Sequence, residues 1–249
     1  PIGSSWMTAR NMSRTVLAVA GLTTRTPCGR DSSVPAELWA EFLGYLVSEG
    51  HIRTVNPRVK SNSYTVTVSQ KKPGGVAKIR ECVRKLNACG FAFHEYPHSG
   101  TANAFVWTCS DKGLWTWCQD HCGSMGARSK RLPDVVWEWS PRLRTILLEA
   151  LILGDGTVDG RMGRSYRGYF SSSPALKDQV QILALGLGLG AKICKASRCW
   201  RVSVLPKRET RVTGPEVKRV PYTGKVYCFS VPPNRLVLTR RNGMVAITH

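Results

Sequence analysis

The sequence predicts an α+β protein in which one order of elements, helix, hairpin, helix, hairpin, occurs twice in a single chain. Two observations carry this reading. Two apolar helical segments share a proline start, a common length and an acidic-glycine stop. Each is followed by strand-like residues and then by a second helical pattern that ends in glycine.

The first copy opens with Pro35, suited to a first helical turn, and continues as AELWAEFLGYLVSEG, with apolar residues at three- and four-residue steps up to Glu49-Gly50. IRTVNPRVKSNSYTVTVSQ follows, alternating from Tyr64 to Ser69 as a half-exposed strand does. KIRECVRKLNACG then reads as a helix stopped at Gly90, and FAFHEYP and NAFVWTCS as further strands. The second copy opens with Ser140 as N-cap and Pro141 at the first helical position, then runs RLRTILLEALILGDG to Asp155-Gly156. TVDGRMGRSYRGYFSSS supplies a hairpin, ALKDQVQILALGLG a helix reaching Gly188 or Gly190, and AKICKASRCWRVSVL the last strands.

FLGYLV and LLEALIL are apolar nearly all round, so each helix is expected to be buried on more than one side. Gly44 and Ala150 hold the same place relative to Glu49 and Asp155, and small residues there let two backbones pack closely. A helix pair on a pseudo-twofold axis follows, with the two carboxylates brought towards each other at its end.

Lys and Arg number 36 against 16 Asp and Glu, a formal charge of +20 in 249 residues. Such an excess points to a polyanionic partner, nucleic acid first. The nine cysteines, odd in number and without a regular framework, argue against a secreted disulfide scaffold and for a reducing, intracellular compartment. Cys118, His121 and Cys122 lie together, but no second ligand pair with zinc-like spacing follows. The longest apolar stretches, Thr145 to Leu153 and Val180 to Leu189, fall short of the roughly 20 residues of a membrane span. No signal peptide is visible.

FLGYLVSEG and LEALILGDG resemble the two LAGLIDADG motifs of a single-chain, pseudosymmetric homing endonuclease of the kind carried by inteins. SKRLPDVVWEWSPRLRTILLEAL and YFSSSPALKDQVQILALGLG resemble the segments around the second motif in that family, and the likeness covers about residues 34 to 205. It implies two αββαββα halves, 34–129 and 130–205, whose antiparallel sheets form a saddle over the major groove of double-stranded DNA. It implies a monomer from a phage or microbial host, and Mg²⁺ held by Glu49, Asp155, Gly50 and Gly156. Mg²⁺ takes oxygen ligands from one or two carboxylates while keeping waters and substrate oxygens, so the catalytic acids and the metal ligands coincide.

The same resemblance gives Lys130 the place of a basic residue near the catalytic centre, with Lys192, ranked ahead of Lys195, as its partner from the second half. Candidate DNA contacts are Arg53, Arg58, Lys60 and Asn62 in the first hairpin, Arg161, Arg164, Arg167 and Tyr169 in the second, and Arg198 and Arg201 on the last strand pair.

From Tyr222 onward, TGKVYCFSVPPNRLVLTRRNGMVAITH resembles the C-terminal segment of an intein splicing (Hint) domain, here a partial all-β unit over 206–249. That resemblance makes Cys228 a first acyl acceptor and puts Thr248 beside the penultimate-type His249. Residues 1–33 are expected to be the remaining tail of the N-terminal splicing half, or a linker. With no Asn after His249 and no recognisable N-terminal half, the chain is expected not to splice alone; an N-terminal intein fragment is a possible partner. The alternatives to an endonuclease are a trans-splicing intein fragment and a LAGLIDADG nucleic-acid-binding protein that does not cleave.

Overall fold

The computed structural model describes residues 34–53, 64–124, 126–159, 166–206, 220–225 and 237–248. Helix α1 (Ala36–Glu49) starts behind extended Pro35 and stops at Gly50, whose N–H still donates to Leu46 O while its backbone is already extended. The chain therefore passes without a loop into β1 (Gly50–Ile52). A Cβ at Gly50 would meet Leu46 O at 2.2 Å, so only glycine permits this direct helix-to-strand turn. The second half repeats the device. Helix α4 (Pro141–Asp155), capped by Ser140 on Leu143 N, runs into β5 (Gly156–Asp159), and a Cβ at Gly156 would meet Ile152 O at 2.3 Å.

In the first half β2 (Thr65–Gln70) pairs with β1, helix α2 (Pro73–Ala88) follows, and β3 (Phe93–Pro97) and β4 (Phe105–Ser110) complete an antiparallel sheet of order β1-β2-β4-β3. In the second half β6 (Tyr166–Ser171), α5 (Pro174–Gly186), β7 (Gly190–Ala196) and β8 (Cys199–Leu205) give the order β5-β6-β8-β7, again antiparallel throughout. Gly50 lies opposite Val68 and Gly156 opposite Tyr169, so the two sheets also share register. Gly90 and Gly188 take the left-handed conformation after α2 and α5, as the glycine stops predict. The helices start earlier than the periodic runs suggest, at Pro73 and Pro174, because proline fits a first turn.

One core runs through both halves. Trp39, Phe42, Leu43 and Leu46 of α1 and Leu147, Leu148 and Leu151 of α4 are buried on all sides between the sheets. Helix α3 (Lys112–His121) closes the first half; Asp111 accepts from Leu114 N at its start, and Leu114, Trp117 and Cys118 are buried. The described residues thus form αββαββα and then αββαββ. A 3₁₀ turn (Asp134–Glu138) links them.

Burial pushes the Cys122 thiol up to about 12 and raises Cys118 well above its ordinary value, so both are neutral core groups. No helix among the described residues is long and apolar enough to cross a membrane. Beyond the halves, β9 (Val237–Arg241) and β10 (Met244–Thr248) form a hairpin whose Asn242 and Gly243 both have positive φ, 52° and 74°. Both central residues left-handed is the signature of a tight type I′ turn.

Candidate active site and nucleic-acid face

The two long helices touch at their small residues. A Cβ on Gly44 would come within 2.4 Å of Ala150 Cβ, and one on Gly154 within 2.6 Å of Ser48 Cβ. Gly44 matches Ala150 in place, and Ser48 matches Gly154, so each contact crosses the pseudo-twofold axis. Ser48 also donates to Gly44 O at 2.8 Å within its own helix and to Leu151 O at 3.3 Å across the interface. This close approach carries Glu49 and Asp155, the last residues of α1 and α4, to one end of the helix pair.

Both carboxylates sit largely out of water. Burial, then the charge of Glu49, raises Asp155 to about 6, against the pull of Lys130 and Lys72. Burial also raises Glu49, opposed by a hydrogen bond from Gln70 (Nε2 to Oε1, 2.9 Å) and by Lys72, Lys130 and Lys71. Lys130 donates its ammonium to Ser48 O, at the end of α1, while Lys72 donates to Gly154 O and to Gly156 O at 2.9 Å, at the end of α4. Burial lowers Lys130, and the two acids pull it back up. Two carboxylates and two ammoniums therefore share a half-buried pocket of carbonyl oxygens, where charges act strongly on one another.

Among the predicted residues, Lys130 lies beside the acids, but Lys192 does not. It stands on β7, three strands from β5 and about 14 Å across the sheet, with its side chain on the open face. The place given to Lys192 is taken by Lys72, which reaches from the first half to the second. Tyr169 cannot touch DNA. It is fully buried beside Ser48, Asp155 and Glu49.

Arg167 alternates with Tyr169 on β6 in register with buried Val204, on the helix-covered face and not the open one. The Gly156 carbonyl is engaged by the Lys72 ammonium, so as a metal ligand it would first have to release that contact. Arg53 is exposed at the end of β1, Arg198 is exposed in the β7–β8 turn, and Arg201 lies on the open face opposite Phe170. Arg58, Lys60, Asn62, Arg161, Arg164, Cys228 and His249 lie outside the described residues, and Thr248 is described only as the last residue of β10.

Gln70 and Lys72 were not foreseen. They sit in SQKKPGG, which reads as a basic turn; Pro73 marks a helix start there, and Lys72 stands at its N-cap position with no side-chain cap. The open face of the first sheet was also missed. Register places His51, Thr67, Thr108 and His94 side by side across its four strands, with Ser69, Val106 and Tyr96 in a neighbouring row. These rows are mostly polar, where the open face of the second sheet carries Lys192 and Arg201.

Residues 143–220 match the LAGLIDADG-like domain. Among solved structures, a mesophilic variant of the homing endonuclease I-DmoI superposes with a TM-score of 0.50 at 13% identity, covering 68% of this chain and 88% of that one. I-DmoI in complex with DNA and Mn gives 0.50 at 12% identity, covering 71% and 99%. The mixed α/β architecture is therefore that of a LAGLIDADG homing endonuclease. Two curated relatives match in sequence. One is a DNA-directed RNA polymerase subunit beta C-terminal section of Stigeoclonium helveticum, 26% identical over 86% of this chain. The other is an ATP-dependent Clp protease proteolytic subunit of Chlamydomonas moewusii, 30% identical over 65% of it. The chain spans only 24% and 16% of their lengths.

Proposed function

We propose that this LAGLIDADG chain is a divalent-metal-dependent endonuclease that cuts a long double-stranded DNA site and is carried within an intein. The observation that supports it most is the meeting of Glu49 and Asp155 at the ends of two helices held in backbone contact, with Lys130 and Lys72 on the neighbouring carbonyls. A domain that only bound DNA would gain nothing from burying two carboxylates, since each is costly to desolvate.

The donor set fits a hard cation. It is all oxygen, and no third His, Cys, Asp or Glu joins the two acids among the described residues, which leaves room for waters and phosphate oxygens as Mg²⁺ requires. Glu49 and Asp155 would hold the ion, and Mg²⁺ when bound lowers the pKa of an attacking water and neutralises charge on the phosphate. Lys130 and Lys72 are placed to stabilise the charge that develops on the phosphate oxygens. Both acids come from one chain, in keeping with a monomer.

The intein reading draws on the relatives. Two enzymes with unrelated names share a segment similar to this one that is a small part of each, as an inserted mobile element would be. The β9–β10 hairpin falls within the proposed splicing unit, with Cys228, Thr248 and His249 as the splicing residues and an N-terminal fragment as the partner. Nine cysteines without a regular framework suit an intracellular, reducing site.

The test is to incubate the protein with a duplex library spanning uninterrupted junctions of candidate host genes, with Mg²⁺ or EDTA, beside the Glu49→Gln, Asp155→Asn double variant, and to sequence the ends. Discrete Mg²⁺-dependent breaks that the variant does not make establish the nuclease. Tight binding without breaks under any divalent metal overturns it and leaves a binding or trans-splicing role.

A further inference from the structure

The β9–β10 hairpin does not hang from the second half; it is docked onto it. Ile193 N, on the free edge of β7, donates to Gly243 O at 3.0 Å. Buried Gln181 of α5 donates to the same Gly243 O and to Ala191 O, each at 3.0 Å, so one amide joins the hairpin tip to the sheet edge. A Cβ at Gly243 would stand 2.1 Å from Ile193 O, so the tip seats only as glycine. Arg240 pairs with Asp178 of α5.

These contacts fix which way the hairpin faces. Arg240 and its cross-strand partner Val245 lie on the α5 side, so Arg241 and its partner Met244 lie on the other, the side of the open sheet face. Arg241 is exposed there, beyond β7, whose Lys192 is also exposed on that face. The first half has no equivalent arm: its edge strand β3 has no further strand beside it among the described residues.

We propose that the hairpin extends the DNA-binding surface on the second-half side alone, with Arg241 contacting a backbone phosphate outside the reach of the sheet. This rests on the DNA-binding part of the reading above. Four strand spacings from β5 put the contact roughly 19 Å out, about five to six base-pair steps from the acids. A guanidinium on a phosphate positions the protein without reading sequence, so the contact strengthens binding to any duplex and makes it more salt-dependent.

The test uses the full chain and a pool of long random-sequence duplexes. The slope of log affinity against log salt is measured for wild type, Arg241→Ala and Arg240→Ala, followed by hydroxyl-radical footprints on the selected cleavage site. Arg241→Ala is expected to lower the slope by about 1 and to remove protection at the outer flank of the second-half side only. Arg240→Ala, which unhooks the hairpin but keeps Arg241, is expected to lose the same protection. Wild-type binding and cleavage with an Arg241→Ala slope and footprint unchanged would overturn this inference alone. Failure of the wild type to bind any duplex would overturn the DNA-binding reading with it.

Discussion

The two halves share strand order, register and helix starts, yet they equip the common site differently. Where the first half carries Gln70 and Lys72 at the β2–α2 junction, the second carries Ser171 and Ser173 at the β6–α5 junction. Ser173 caps α5 on Leu176 N and also donates to Lys130 O at 2.6 Å. Lys72 leaves its own helix uncapped and sends its ammonium across the axis to the end of α4. One half turns its junction towards the two acids and the end of α4, the other towards the linker that delivers Lys130. Duplicated architecture therefore does not imply duplicated roles.

The deepest test of this comparison is at the two acids. On the proposed function, Glu49→Gln or Asp155→Asn is expected to slow double-strand cleavage by roughly a thousandfold or more, because each removes a carboxylate from the pair proposed to hold the metal. Single-turnover assays that follow the two DNA strands separately would show whether the acids serve one strand each or both.

Asp155→Asn should at the same time make the protein more stable at neutral pH. A carboxyl raised from 3.8 to about 6 binds its proton more tightly when folded, so wild-type stability falls as pH rises through that window. The cost is fully present above pH 6 and absent below about 4. It amounts to at most about 3 kcal/mol for this largely buried group. Denaturant melts at pH 7.5 and pH 4 would find the variant's advantage only at the higher value. Because protons compete with the metal for this carboxyl, the Mg²⁺ concentration that cleavage needs is expected to rise as the pH falls towards 6.

Exchange of the junctions tests the asymmetry itself. Lys72→Met is expected to cut the cleavage rate by about a hundredfold with the fold intact, as loss of one charge-stabilising donor does elsewhere. Ser173→Ala, at the matching position, is expected to cost about 1 kcal/mol of stability through the lost cap and to leave chemistry affected only through Lys130. Equal rate losses in the two variants would mean that the halves contribute alike. Between these in energy lies Gly44→Ala, whose new methyl meets Ala150 at 2.4 Å; chemical denaturation should show a loss of about 1–3 kcal/mol.

Much of the frame is legible in the amino-acid sequence. The long helices could be read because their apolar residues cover every face, and their ends because glycine alone can turn a helix directly into a strand at positions 50 and 156. Glu49, Asp155 and the Gly44–Ala150 contact followed from that alignment. The rest depended on facts that periodicity does not hold. Strand order decides that β7 lies far from the acids, so Lys192 could not be excluded by its sequence neighbours.

Tyr169 lies in a basic, aromatic stretch that looked like a DNA contact, but the pleat turns it inward beneath Asp155. Lys72 was hidden because its reach of more than eighty residues along the chain is a property of packing across the axis. Helix α3 did carry a signal that went unread, Asp111 followed by Leu114, Trp117 and Cys118 at helical steps.

The backbone contact at Gly44 and Ala150 also bears on how such a chain can be rebuilt. The closest approach of the two halves is concentrated on a line of small residues along each long helix, while each sheet packs mainly against its own half's helices. A first half from another chain of this fold could then be joined to this second half wherever its helix presents small residues at the places of Gly44 and Ser48, and, on the proposed function, the hybrid would inherit half of each parent's DNA site. Specificity in such a molecule is portable by halves, and the seam between them is narrow.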